Sequence, residues 1–541
     1  MSAVADIHAN HAYDVAIIGY GPAGATLAAL LGRHGLDVAV FDKAHDIYPQ
    51  PRAVGFDHDA MRIFQQAGVA DALLPHVAPF NDGVYYGVDG QVIRRLQRMP
   101  PPYPQGWAPG YTCDQPGVEA VLRAAVQQMP NVHVALGCEL SGFTQSADHV
   151  HLALRNSDGD VAHCTARYVV GCDGAGSPVR RALGIGLESF DYDHAWVVVD
   201  VKVKPAYLAQ LPQTNVQYCQ PARPCTFITC PGNHRRWEFM TLPGEAHEGE
   251  VPEERLWELL SRWLRPGEAE IWRSAAYRFH ALIAHQWRRG RVLLAGDAAH
   301  QTPPFLGQGM CQGLRDAGNL AWKLEAVMRG RAPDALLDSY TAERRPHVVE
   351  TTCLAKEFGY IISELDVDKA RTRDAAMLAL GGGTAQTLIR QELIPGLTSG
   401  LIAGVAPLAG KVLPQPVVQH ASTDEAARNV RLDDVTGPHW SLVVTGALSP
   451  ALVSLARSRD VTVVALDAAS IEGALHVEEH DGLLTKWLAA AGCRGALVRP
   501  DHYVFGGFAS NDEARHLLDQ FASALHLVSQ QTKAAPQAAV A

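Results

Sequence analysis

The residues of this chain whose types and spacing could do chemistry are glycines and carboxylates placed at the ends of apolar runs. Val292-Leu-Leu-Ala leads into Gly296-Asp297. A Pro303-Pro304 corner follows, then Gly307-Gln-Gly309-Met310 at the head of a long helical pattern through Asp316 and Lys323. Glycines at a helix start let backbone N–H groups come close to an anion or a planar ring. Near the N-terminus, Gly19-Tyr-Gly21-Pro-Ala-Gly24 stands between a strand pattern and a helix pattern. Asp42 lies roughly twenty residues past the first glycine, where an acid accepts a ribose hydroxyl. A third corner is Gly171-Cys-Asp173-Gly174-Ala-Gly-Ser177. Ligands of open parallel sheets bind at that strand edge, so these corners predict a dinucleotide lying across the first part of the chain. Carboxylates do not pair with pyrophosphate, so the acids suit ribose or ribityl hydroxyls, or the orientation of water.

The elements that must position these residues can be read from periodicity. Tyr13–Gly19 is a nearly continuous apolar run, as for a strand buried on both faces. The next pattern puts Ala23, Leu27, Leu30 and Leu31 on one helix face, and Gly35 ends it. Asp37–Asp42 is a second strand, completing a βαβ unit. Asp57 is placed to cap a helix ending at Gly68. A helix over Gln115–Met129, a hairpin at Asn156-Ser-Asp-Gly159 and a strand over Arg167–Cys172 follow. The texture then turns β-rich, in Ala195–Val203, Val216–Cys219, Cys225–Cys230 and Arg235–Leu242. Together with 81–111, the segment 191–285 predicts a mostly antiparallel sheet inserted into an α/β, Rossmann-like nucleotide-binding fold made of 1–80, 112–190 and 286–395. A separate unit is expected over 413–530, with strand Trp440–Thr445, helix Pro450–Ser458, strand Val461–Leu466, helix Gly482–Ala491, strands Gly495–Val498 and Tyr503–Phe508, and helix Asn511–Leu525. That order resembles a thioredoxin-like domain. Its single cysteine, Cys493, and the lack of a CxxC exclude dithiol chemistry.

A chain of 541 residues is too long for one core, and two or three domains are expected. The net charge of −11 and the lack of a basic stripe argue against nucleic acid as a partner. Ten cysteines without metal-ligand spacing read as free buried thiols in a reducing compartment. No metal site is expected. Met1–His11 lacks the features of a secretory signal and reads as a frayed leader. The apolar segment Gly396–Val412 is broken by glycine and proline and is too short to span a bilayer. A cytoplasmic location, no membrane contact and a disordered tail beyond Gln530 are the expectations, with a homodimer as a candidate assembly.

The three corners together resemble the FAD-dependent aromatic hydroxylases, the single-component flavin monooxygenases, and the likeness covers the whole chain. The resemblance implies that Gly19, Gly21, Ala23, Gly24, Asp42 and Lys43 hold the ADP half of FAD. It implies Arg52 and Gln115 for the diphosphate and ribityl region, Leu140 for the adenine, Asp173 for both flavin and nicotinamide, and Asp297 for the ribityl chain. Pro304, Gly307, Gly309 and Met310 would line the isoalloxazine ring. Arg223-Pro-Cys-Thr-Phe, Arg235-Arg-Trp-Glu-Phe-Met240 and Arg499-Pro-Asp-His-Tyr-Val504 look like the 3-(3-hydroxyphenyl)propionate hydroxylase group, which also carries a thioredoxin-like tail. Cys311 departs from the family, many of whose members have Asn beside the flavin pyrimidine.

The implied reaction is hydroxylation of a small phenolic ring, ortho to an existing hydroxyl, with NADPH or NADH and O2, through a C4a-hydroperoxyflavin. The flavin supplies the difficult chemistry, and the protein supplies position and dryness. Only one GxGxxG occurs, so nicotinamide is expected to bind transiently. Asp57 is a candidate base for the phenol and also a candidate helix cap. Gln217 and Tyr218 are candidate pocket residues, and strand alternation lets only one of them face the ring. The cluster Arg288-Arg-Gly-Arg291 reads as a solvated strand entry more than as an NADPH phosphate site. The alternatives on this fold are a nitrophenol-type denitrating monooxygenase and a non-oxygenating flavin reductase. A halogenase would carry a WxWxIP segment, which does not occur.

Overall fold

The computed structural model describes residues 11–245, 249–420, 428–466 and 471–525. The leader up to residue 10 and the tail beyond Gln530 lie outside the described residues. The chain divides into two units. One comprises Met1–Pro100, Ala108–Ala317 and Val348–Pro395, and the other Pro101–Trp107, Gly318–His347 and Gly396–Ala541.

In the first unit, strand Ala12–Ile18 lies parallel to Val38–Asp42 on one side and Val161–Gly171 on the other. Val132–Leu136 and Val292–Leu294 extend this parallel core. Tyr13, Val15, Ala16 and Ile17 are fully buried, as a strand covered on both faces requires. Helix Pro22–Arg33 starts with proline in its first turn, where the missing N–H is no loss. Gly35, at φ +71°, ends it in the left-handed conformation that suits glycine. Asp42 closes its strand, while Asp173 and Asp297 follow Gly171 and Leu294 within three residues. All three acids therefore sit at the carboxyl edge of one parallel sheet.

The inserted sheet has nine strands, in the order His300–Gln301, Ala269–Ala284, Leu187–Val203, His234–Met240, Cys225–Thr229, Asn215–Tyr218, Gly83–Tyr86, Val92–Gln97 and Gln386–Ile389. All neighbours are antiparallel except two pairs, Asn215–Tyr218 with Gly83–Tyr86 and Gln386–Ile389 with Val92–Gln97. The expected limits shift accordingly. The sheet begins at Leu187, and it gains short edge strands from segments expected in the nucleotide-binding part. Gly110–Cys113 leaves it to pair with Gly55–Asp57 and Val77–Pro79. One face packs Val197, Val199, Val216, Tyr218, Phe227, Trp237 and Phe239 against Leu256 and Leu260 of helix Glu253–Leu260. The period of two then forces Gln217, Arg236, Glu238 and Val198 onto the opposite face.

The second unit carries a seven-stranded sheet. Strand Ser441–Thr445 is parallel to Thr462–Leu466 and antiparallel to Gly495–Val498, which pairs with Val504–Phe508. Helices Pro450–Ser458, Leu483–Ala490 and Asn511–Ala524 match the expected order. Strands Leu475–Glu479, Val417–His420 and Arg428–Arg431 and the helix Leu432–Thr436 were not expected from the sequence. The unit also reaches beyond 413–530, because Leu397, Leu401 and Leu408 are buried ahead of Leu413. At its centre the fully buried Glu343 accepts from Lys323 Nζ at 2.6 Å and Arg499 Nη2 at 2.7 Å, and Asp501 accepts from Arg499 at 2.6 Å.

Candidate functional site

The turn after the first strand depends on two glycines for steric reasons. A Cβ on Gly19, whose φ is +102°, would lie 2.3 Å from the Cys172 carbonyl oxygen, and one on Gly24 would lie 2.0 Å from the Gly19 oxygen. Gly21 is different, because a Cβ there would meet nothing within 4 Å. Gly174 and Gly309 are open in the same way. Asp42 pins the turn, accepting from Tyr20 N at 2.6 Å and Ala44 N at 2.8 Å. Arg123 braces it from the other side, donating to the Tyr20 oxygen at 2.9 Å with its guanidinium over the Tyr20 ring.

These residues open onto a cavity of about 720 Å³. Along the nucleotide-binding edge it is lined by Gly19, Gly21, Ala23, Asp42, Lys43, Arg52, Gln115, Leu140, Asp173, Asp297, Pro304, Gly307, Gly309 and Met310. Of the sequence-predicted cofactor residues, only Gly24 does not line it, since its role is the crossing with Gly19. Gln115 lines the cavity and also makes contacts within the protein. Its Oε1 accepts from Arg52 N at 3.0 Å and Ala53 N at 2.6 Å, and its Nε2 donates to Glu119 at 2.7 Å. It therefore sets the Arg52 loop. Asp173 accepts from Ser177 Oγ at 2.5 Å and Val179 N at 2.9 Å, so it anchors the start of helix Pro178–Ala182 while facing the cavity. Burial raises its pKa despite those bonds.

Asp297 is exposed to the cavity that it lines, between the buried Gly296 and Ala298. Burial raises its pKa, His300 and Arg52 oppose the rise, and no hydrogen bond contributes. Its turn is held from behind, where Asp316 Oδ2 accepts from Gly296 N at 3.0 Å and pairs with His300 Nε2 at 2.7 Å. An acceptor with no donor among the described residues, beside glycines open to the cavity, is what the hydroxyls and pyrophosphate of FAD require. The chain's residues fit the expected cofactor.

Asp57 does not face the cavity, which corrects its candidacy as a base. It caps helix His58–Gln66, accepting from Ala60 N at 3.1 Å, and pairs with Arg315 Nη2 at 2.6 Å while Gln308 donates to it at 3.0 Å. Burial alone would raise its pKa, but the Arg315 guanidinium outweighs burial and holds the carboxyl well below its usual range. A carboxylate so held is a poor proton acceptor. Cys311 is fully buried and donates to the Gly307 oxygen at 3.5 Å, with burial driving its thiol pKa far up.

The inserted sheet supplies the rest of the lining. Gln217 faces the cavity, and Tyr218 packs in the opposite core, 5.4 Å from the Trp263 ring. Sequence reasoning missed the neighbours of Gln217 on that face, namely Thr226, Arg236, Glu238 and Arg273. The alternation of Arg236 and Glu238 with the apolar Trp237 and Phe239 was the signal for them. Thr226 Oγ1 and the Gln217 amide are 2.5 Å apart. Arg236 clamps the buried Asp200 with bonds of 2.7 and 2.8 Å and donates to the Arg52 and Pro51 carbonyls at 2.7 and 2.8 Å. Burial would raise the Asp200 pKa, but Arg236 brings it down to about 2. Phe80, Tyr85, Leu96, Phe279, Phe305 and Leu306 make this end apolar. Arg288, Arg289 and Arg291 are outside the lining and donate to backbone carbonyls.

Residues 12–355 match the family described as FAD binding domain, and residues 410–524 match the HcaD C-terminal domain. A probable NADH-specific resorcinol 4-hydroxylase of Rhodococcus jostii is 37% identical over 504 residues, covering 92% of each chain. A 3-(3-hydroxy-phenyl)propionate/3-hydroxycinnamic acid hydroxylase of Burkholderia vietnamiensis is 36% identical, covering 91% of this chain and 92% of that one. Among solved structures, a flavin-dependent monooxygenase in complex with FAD and substrate shares the fold with a TM-score of 0.78 at 21% identity, covering 96% of this chain and 99% of the other.

Proposed function

Because the chain belongs to the FAD-binding-domain family of flavin-dependent aromatic monooxygenases, we propose that it hydroxylates a small phenol of the resorcinol type, ortho to an existing hydroxyl, with NADH and O2. The observation that carries this reading is the continuous cavity, with a nucleotide-binding edge at one end and an apolar, polar-spotted sheet face at the other. FAD, when bound, supplies hydride acceptance and oxygen activation. The open backbone at Gly21 and Gly174 would receive the pyrophosphate, with Arg52 balancing its charge. Asp42 and Lys43 would serve the adenosine ribose, Leu140 the adenine and Asp297 the ribityl hydroxyls. Gln115 holds the Arg52 loop in place, and Ala23 lines the approach to the helix start. Pro304, Gly307, Gly309 and Met310 would run along the ring system.

The phenol would lie against the Gln217 face, with Phe279, Phe305 and Leu306 excluding water. NADH rather than NADPH is supported by the name of the Rhodococcus relative, a probable NADH-specific enzyme, and by Arg288, Arg289 and Arg291 being tied to carbonyls away from the cavity. A cytoplasmic setting is supported by ten free cysteines, most of them buried. The test is NADH and NADPH oxidation by the holoenzyme across substituted phenols, with O2 uptake and product mass. We expect a phenol to accelerate NADH oxidation and to leave as a product one oxygen heavier. Equal oxidation with and without every phenol, and no hydroxylated product, overturns the reading.

A further inference from the structure

The sheet face opposite the nucleotide-binding edge carries an acid of its own. Glu238 sits on strand His234–Met240, is 5% exposed and lines the cavity. The other acids of the lining have backbone or side-chain donors, as at Asp42, Glu119 and Asp173, or lie at the nucleotide end, as Asp297 does. The nearest cation to Glu238 is Arg236, whose Nη1 is 3.9 Å from its Oε1, beyond hydrogen-bond reach. Arg236 is also committed elsewhere, because its Nε and Nη2 clamp Asp200 and its Nη1 and Nη2 hold the Arg52 loop. Arg273, from strand Ala269–Ala284, likewise donates to Asp200 at 3.2 Å. Thr226 stands directly across the sheet from Glu238, and Gln217 directly across from Thr226. The three form a polar row that faces the cavity beside Arg236 and Arg273, next to the apolar Phe279, Phe305 and Leu306.

We propose that Glu238 is the catalytic base for the phenol, taking the proton from the ring hydroxyl held against the Gln217–Thr226–Glu238 row. This inference rests on the phenol-hydroxylase reading above. In the step, the substrate O–H bond breaks, an O–H bond forms at a Glu238 carboxylate oxygen, and the electron pair stays on the ring oxygen. The charge left there makes the ring carbons ortho and para to it nucleophilic, as oxygen transfer to the ring requires. No electron leaves either partner. Removing Glu238 from water pushes its pKa up to about 7; Arg236 and Arg273 oppose the rise and Asp200 adds to it. The buried thiols Cys225 and Cys230 are the other titratable neighbours, and burial holds both well up and uncharged at neutral pH. A base of that pKa is matched to neutral-pH proton transfer.

The test uses the FAD-loaded enzyme, NADH and a series of phenols from resorcinol to more acidic ring-substituted analogues. In wild type, hydroxylation should rise with pH through an ionisation near that of Glu238. In Glu238→Gln it should fall about 100-fold or more at neutral pH. The loss should shrink as pH approaches each phenol's own ionisation, and it should be smallest for the most acidic phenol. FAD content and the binding of 1,3-dimethoxybenzene, which has no proton to give, should stay unchanged. Glu238→Asp keeps a carboxyl and should retain the ionisation limb at a lower rate. A loss in Glu238→Gln that is the same at every pH and for every phenol, or no loss, overturns the assignment while leaving phenol hydroxylation standing. A wild-type enzyme that hydroxylates none of the phenols overturns the reading itself and the inference with it.

Discussion

Asp297 offers the cavity a carboxylate that no donor among the described residues occupies, behind which Asp316 and His300 fix the turn. Its removal should therefore be felt as lost cofactor affinity more than as lost fold. Asp297→Ala is expected to weaken FAD retention by about 1–3 kcal/mol, read as flavin absorbance per chain after dialysis. Full flavin content with unchanged turnover would contradict the role. Glu238 makes the opposite kind of statement, because its pKa is raised in the fold to about 7 from 4.5. A carboxyl raised in this way contributes stability that is fully present below its unfolded pKa and is lost as pH climbs through the folded value. In the FAD-free protein, Glu238→Gln should thus melt close to wild type near pH 5 and above it near pH 8. The gap should be at most about 3 kcal/mol. A gap that does not change with pH would show that the carboxyl is not raised.

At the scale of elements, Asp57 joins two helices. It caps His58–Gln66 and neutralises Arg315 on helix Gly309–Met328. Asp57→Ala removes the cap and one of Arg315's carboxylate partners, with Asp59 at 2.9 Å still facing the guanidinium. We expect a lower melting temperature, corresponding to roughly 3 kcal/mol, with turnover per folded holoenzyme largely kept. An unchanged melting curve with collapsed turnover would return Asp57 to the chemistry. The cap was legible from residue type and position in the sequence. The ion pair was not, because Arg315 lies 258 residues away and nothing local marks it. The same contrast runs through the fold. Ala12–Ile18, Pro22–Arg33 and Pro450–Ser458 could be read from their apolar periodicity. His300–Gln301, Gln386–Ile389 and Leu475–Glu479 are strands because a neighbour's edge pairs with them, a long-range cause that short runs do not display. Gln217 was singled out from the sequence, whereas Glu238 lay unread in a run noted only for its family likeness.

At the scale of the whole molecule, the second unit has an apolar core that includes Cys493 and an ionic centre at Glu343, but no cysteine pair. Cys493→Ser should leave turnover nearly unchanged. A large loss with flavin content and fold intact would bring this unit into the chemistry. Deletion from Leu413 onward removes Arg499 and Asp501 from around Glu343 and takes Trp440 and the Arg499 guanidinium off the Trp322 ring. It should lower solubility or change the oligomeric mass, measured by light scattering. An unaltered, soluble and active truncated enzyme would contradict a structural role. The central claim is that this chain places an oxygen atom from O2 on a phenolic ring, and isotope labelling tests it most directly. The holoenzyme is given NADH, resorcinol and heavy-isotope oxygen gas, and the product is weighed. We expect one labelled oxygen in a ring-hydroxylated product. NADH consumed with only peroxide formed, or a hydroxyl drawn from unlabelled water, would contradict it.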